Sequence, residues 1–293
     1  MRPFREWMDE ARVLLLDGAT GTELTRRGIA TTLPLWSAQA LLDACDVVRE
    51  IHADYVRAGA DVITANTFRT SARTLAHAGL SARDTELTAR AVALAREAAG
   101  GLAWVAGSQP PLEDCYCPEL VPADDALERE HGRIAENLAD AGVDLILVET
   151  QNTIREAAAA TRAAVATGLP VLTSFVCGGG GRLLSRETLT EAARAVQPLG
   201  TDGVLVNCAP AERILGCLQE LRGALGEFPI GGYGNIGHAD ADVGWVNTDA
   251  QEPAVYAEHA RAWLESGARF VGGCCGTTPD HTARLRELID CFR

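Results

Sequence analysis

At 293 residues the chain is long enough for one large α/β barrel or two modest domains, and either would bury a sizeable core. With 26 Lys and Arg against 40 Asp and Glu the net charge is −14, which argues against nucleic acid or an anionic membrane surface as the main partner. No apolar stretch approaches the roughly 20 residues that span a bilayer, and the start MRPFREWMDE lacks the apolar run of a secretory signal, so a cytoplasmic protein acting on small molecules is expected.

Taken in chain order, short apolar runs alternate with amphipathic segments. VLLLDG begins at Val13, DVITANTF at Asp61, AWVAGSQPP at Ala103 and VDLILVET at Val143; PVLTSFVC follows at Pro170, GVLVNCAP at Gly203, PIGGYGN at Pro229 and ARFVGGCC at Ala268. Between them, stretches such as RDTELTARAVALAREAAG and ALEREHGRIAENLADAG repeat their apolar residues at helical spacing. RAGAD, DAGVD and SGAR each place a glycine between such a helix and the next run, where a left-handed cap is wanted. Eight runs in this alternation, with no linker or break in composition, predict one (β/α)8 TIM barrel occupying residues 1–293 as a single domain. The rival is an open, doubly wound sheet. It is disfavoured because the first turn, DGATGTE, lacks the GxGxxG spacing of a dinucleotide site.

Ligands of such barrels collect at the carboxyl ends of the strands. Those ends here carry Asp17 and Gly18, then Asn66 and Thr67, Glu149 and Thr150, Asn207 and Cys208, Tyr233 and Asn235, and finally Cys274 and Cys275. Adjacent cysteines on a strand point to opposite faces, but on a sharp glycine-flanked turn both sulfurs can converge. Cys208 stands only one strand away around the ring, so three thiols can share one rim. Three thiolates with a vacant fourth position suit zinc, which is tetrahedral and takes soft ligands. The alternative is a pair of buried thiols in a tight turn.

The remaining cysteines call for less. Nine in all, an odd number spread along a long chain, read as thiols of a reducing compartment and not as a disulfide framework. Cys45, Cys217 and Cys291 are expected as small core residues, and Cys115 and Cys117 as loop residues beside the rim. The glycine run from Cys177 to Arg182 reads as a flexible lid more than a phosphate cradle, since no Lys-Ser/Thr follows its glycines.

The stretches LLLDGATGTEL, LPLWSAQALL, NTF, ETQ, VNCAP and GGCCGTTPDH resemble the homocysteine S-methyltransferase family, zinc-dependent barrel enzymes that convert homocysteine to methionine. The resemblance runs along nearly the whole chain. It implies Cys208, Cys274 and Cys275 as zinc ligands and catalytic residues, and Asp17, Gly18, Thr67 and Glu149 as contacts to the amino-acid part of homocysteine. Asn207 and Asn235 join this expected substrate site, Asn235 with an oxygen that could serve zinc when homocysteine is away. Relatives often carry Tyr-Pro-Asn where this chain has Tyr233, Gly234 and Asn235.

Trp36 is the candidate for the donor, because an indole face attracts a sulfonium or quaternary ammonium; its other reading is a loop anchor. LWSA resembles the sulfonium-using branch, which implies S-methylmethionine or S-adenosylmethionine as donor. Betaine-like and corrinoid donors, a zinc hydrolase and a non-catalytic zinc protein are the alternatives. A monomer or weak oligomer is expected.

Overall fold

All eight apolar runs become parallel strands, because a strand buried on both faces needs continuous apolar sequence. They are β1 (Leu14–Leu15), β2 (Val62–Ala65), β3 (Trp104–Gln109), β4 (Leu145–Gln151), β5 (Val171–Val176), β6 (Gly203–Pro210), β7 (Ile230–Asn235) and β10 (Phe270–Gly273); β8 (Gly237–Asp240) and β9 (Gly244–Asn247) form a separate antiparallel hairpin. The structure, a computed structural model, describes residues 3–8, 10, 12–178, 180–240 and 244–292. The strand order is β1-β10-β7-β6-β5-β4-β3-β2. A parallel bridge from Leu16 to Val62 then joins the two ends, with Asp17 N donating to Val62 O at 3.0 Å. The sheet is thus a barrel, surrounded by helices.

Leu14, Leu16, Val62, Ala106, Leu145, Leu147, Leu172, Leu205 and Phe270 fill its interior. The opposite face of each strand packs on the helices in two larger apolar clusters. A short helix, Phe4–Met8, seals the amino-terminal end by setting Phe4 and Trp7 edge-on to Trp104 at 5.5 and 5.7 Å. Glycines 59, 142 and 267 take the left-handed conformation between helix and strand, with φ of 97°, 82° and 90°.

Two irregularities prepare the other end. The β4–β5 register shifts between Val148 and Gln151, and the β6–β7 register shifts between Asn207 and Pro210. Inside these bulges Thr150 (φ 59°) and Cys208 (φ 55°) sit in the left-handed region that non-glycine residues seldom occupy.

Other expectations resolve differently. Cys217 is buried, but Cys45 is only half-buried and Cys291, in the last turn of the helix Pro279–Cys291, is exposed, because Leu288 and Ile289 occupy the side of that turn that packs on the core. The Cys177–Arg182 run is partly ordered by bridges from Cys177 to Leu183 and from Arg182 to Thr188; Gly179 within it lies outside the described residues. Among the described residues no helix is long and apolar enough to cross a membrane.

Candidate metal and substrate site

The turn after β10 is tight for a local reason. A Cβ on Gly273 would collide with the Thr277 side chain, whose Oγ1 donates to Cys274 O at 2.8 Å. Cys274 N donates to Gly234 O at 2.8 Å and Cys275 N to Asn235 Oδ1 at 3.0 Å, so β7 fixes both cysteines. Across β7, the bulge in β6 swings Cys208 inward until its Sγ is 3.8 Å from Cys275 Sγ. All three sulfurs lie within 4.8 Å of one another, and among the described residues no other trio of His, Cys, Asp or Glu is so close. Tyr116, from the loop after β3, sets its Oη 2.9 Å from Cys208 Sγ.

The protons of this trio are unevenly held. Hydrogen bonds from Cys274 and Cys275 hold the Cys208 thiol well below its usual range in spite of burial. Those same bonds, with burial behind them, push Cys274 and Cys275 well above theirs. A bound cation would favour the ionised form of all three. Three soft donors on fixed turns fit a thiophilic metal with a fourth position open.

The sulfurs edge a cavity of about 420 Å³. Its inner wall holds two buried carboxyl groups. Asp17 accepts from Thr64 N at 2.8 Å and Thr64 Oγ1 at 3.0 Å; Glu149 accepts from Ser108 Oγ at 2.5 Å and Tyr233 Oη at 3.1 Å. Burial outweighs these bonds and lifts Asp17 to about 8 and Glu149 to about 7. Among the described residues no arginine is hydrogen-bonded or ion-paired to either group. Such a wall is matched by an ammonium group brought in by a ligand.

The other expected site residues divide. Gly18 lines the cavity through its backbone, and a Cβ there would come within 2.7 Å of Thr277 Oγ1 and Tyr55 Oη. Trp36 lines it too, edge-on to Phe68 at 5.8 Å and resting on Gly21, where any side chain would strike the indole. Thr67, Asn207 and Asn235 do not line it. Thr67 Oγ1 bonds both the backbone O and N of Ser108 at 2.9 Å, tying β2 to β3. Asn207 accepts from Thr150 N at 3.1 Å and donates to Thr150 Oγ1 at 2.9 Å, so it holds the strained residue beside Glu149. The oxygen of Asn235, expected to serve zinc, is engaged by Cys275 N.

The profile of the family described as homocysteine S-methyltransferase matches residues 14–289. This chain belongs to that family. It is accordingly a methyltransferase. A homocysteine S-methyltransferase of Escherichia coli K12 is 32% identical over 97% of both chains, and homocysteine S-methyltransferase 3 of Zea mays is 29% identical over 99% of this chain and 94% of its own. Among solved structures, the metallated form of the homocysteine methyltransferase MmuM from Escherichia coli aligns with a TM-score of 0.85 at 30% identity, covering 98% of this chain and 99% of that one.

For a member of the homocysteine S-methyltransferase family, the cavity shows three side chains that sequence reasoning left aside, Ser108, Tyr116 and Arg69. Ser108 joins Tyr233, already noted at its strand end, as a partner of Glu149; it lies on β3 at an inward position, and strand alternation could have found it. Tyr116 and Arg69 lie on loops, where no periodicity points to the cavity.

Proposed function

We propose that the protein moves a methyl group from a sulfonium donor, S-methylmethionine or S-adenosylmethionine, to the thiol of L-homocysteine, using one zinc ion held by Cys208, Cys274 and Cys275. One observation carries this reading: three converging thiols share a cavity with two buried carboxyls that have no cation of their own. A thiol and an ammonium group on one small molecule complement that pair of features. The relatives named above as homocysteine methyltransferases supply the substrate class.

The bound metal would supply a lowered thiol pKa, from about 8.5 for a free thiol to a value at which the thiolate persists. Asp17 and Glu149 take the substrate ammonium. Their raised affinity for protons falls as the cation arrives, so they bind it as carboxylates. Asn207 acts through Thr150 to keep Glu149 in place, and Asn235 keeps Cys275 in place. Trp36 and Phe68 offer ring surface to a donor whose methyl rides on a positive sulfur.

In the transfer, a lone pair of the homocysteine thiolate forms the new S–C bond while the donor C–S bond breaks. That electron pair returns to the leaving sulfur, which departs as a neutral thioether, so no proton need reach the donor. The chain's contribution is positioning of both partners in a partly enclosed cavity. A reducing cytoplasm suits nine unpaired cysteines, and every residue invoked comes from one chain, so a monomer suffices.

The test is metal analysis joined to X-ray absorption. We expect about one zinc per chain, three sulfurs around it, a fourth sulfur on adding homocysteine, and methionine formed when S-methylmethionine follows. An unchanged shell with homocysteine, or a fourth ligand from the protein that never leaves, overturns the proposal.

A further inference from the structure

Arg69 is the one cationic side chain lining the cavity among the described residues. Its Nε is buried without a hydrogen-bond partner, and no carboxylate of the described chain pairs with it. The contrast with its neighbour is sharp. Arg73, four residues on, gives Nε and Nη2 to Glu130 at 2.7 Å each and Nη1 to Glu113 at 2.8 Å. In a chain of net charge −14, with acidic groups in excess, a guanidinium at the mouth of a cavity has been left unmatched.

An enclosed donor with no acceptor costs free energy unless a ligand provides one. The planar guanidinium fork suits a carboxylate, which accepts two parallel hydrogen bonds. Phe68 lies beneath it, 5.8 Å from the ring centroid to Cζ, and Phe68 is itself braced by Trp36. The head group is thus steered by packing, with no ionic partner to be displaced when a ligand arrives.

We infer that Arg69 receives the α-carboxylate of an amino-acid substrate, and so determines specificity for the zwitterionic end of that substrate. The cavity would then read both charges of an amino acid, Asp17 and Glu149 the ammonium and Arg69 the carboxylate. This deepens the function proposed above and rests on it for the identity of the substrates. Homocysteine and a sulfonium donor carry the same carboxylate, so the chemistry is shared between two sources.

The test uses ligands that lack only the carboxylate. By calorimetry, the zinc-loaded protein should bind methionine at least about tenfold more tightly than 3-(methylthio)propylamine, the ratio expected of a charge-assisted hydrogen-bonded pair. In Arg69→Met that preference should collapse to less than about twofold, and Arg69→Lys should keep part of it, since it retains the charge but not the fork. Kinetics then names the source. Homocysteine against 3-aminopropane-1-thiol, and S-methylmethionine against (3-aminopropyl)dimethylsulfonium, are compared in both proteins. The arm that loses its discrimination in Arg69→Met identifies the substrate held.

If Arg69→Met, melting as the parent does, still prefers methionine and discriminates in both kinetic arms, the assignment fails. Should the parent protein transfer no methyl group at all, the proposed function fails instead, while the calorimetric comparison still judges Arg69.

Discussion

At the amino-terminal end of the barrel, β3 begins with Trp104, which packs edge-on against Phe4 and Trp7 in a closed apolar plug. Four residues along, at the other end, the same strand presents Ser108 to the Glu149 carboxyl beside a cavity. The first end satisfies its groups. The second accumulates what folding alone would avoid: two carboxyls without cations, three adjoining thiols, an unmatched guanidinium, and left-handed backbone at Trp36, Thr150 and Cys208. Of the four described non-glycine residues with positive φ, these three line the cavity, so strain is concentrated where ligands are expected. One end holds the barrel together and the other is held by it.

The largest effect that would break this contrast lies at the thiols. Cys208→Ala should lose bound metal and cut turnover by more than about 100-fold, beyond what loss of an outer-shell partner does, whereas Cys45→Ala should retain both. Metal content and methionine formation decide it; a metal-replete, active Cys208→Ala protein removes the assignment. Next come the carboxyls. Asp17→Asn or Glu149→Gln should raise the KM for homocysteine by about 10- to 100-fold, as expected for a charged hydrogen bond.

The same carboxyls shape stability. Both have pKa values lifted by burial, from 3.8 to about 8 for Asp17 and from 4.5 to about 7 for Glu149. Between those limits the folded state keeps protons that the unfolded chain has released, so stability is full below about pH 4, falls as pH rises, and levels off above about pH 8. Denaturant titrations of the ligand-free protein should show that slope, and it should flatten in the double variant; an unchanged slope there would falsify the source assigned to it.

At the plug, the expected pattern is reversed. Trp7→Ala should destabilise the fold by about 3 kcal/mol through the cavity it leaves, yet kcat of the folded protein should stay within about twofold. Smallest is Thr150→Gly. Relief of left-handed strain, about 1 kcal/mol, offsets loss of the hydroxyl bond to Asn207, about 1 kcal/mol. Melting should barely move while KM for homocysteine rises severalfold.

Much of this contrast was legible in the sequence. Strands buried on both faces spell themselves out as apolar runs, and glycines on either side of Cys274 and Cys275 announce a turn. Thr67 shows where that legibility stops. β2 ends at Ala65, and Thr67 N folds back on Ala65 O at 2.6 Å, so the chain has left the pleat and strand alternation no longer tells which side chain faces inward. Asn66 and Phe68 line the cavity instead. The bulges that aim Glu149 and Cys208 depend on register between neighbouring strands, which no single run encodes. The β8–β9 hairpin and the five-residue helix at Phe4 are too short to show a period.

Tyr116 is carried by the β3 loop and yet touches a sulfur on β6, three strands away around the ring. Its half-exposed ring therefore borders the sulfur cluster at its hydroxyl end and solvent along its face. One aromatic side chain thus ties the loop after β3 to the carboxyl end of β6, across the width of the cavity.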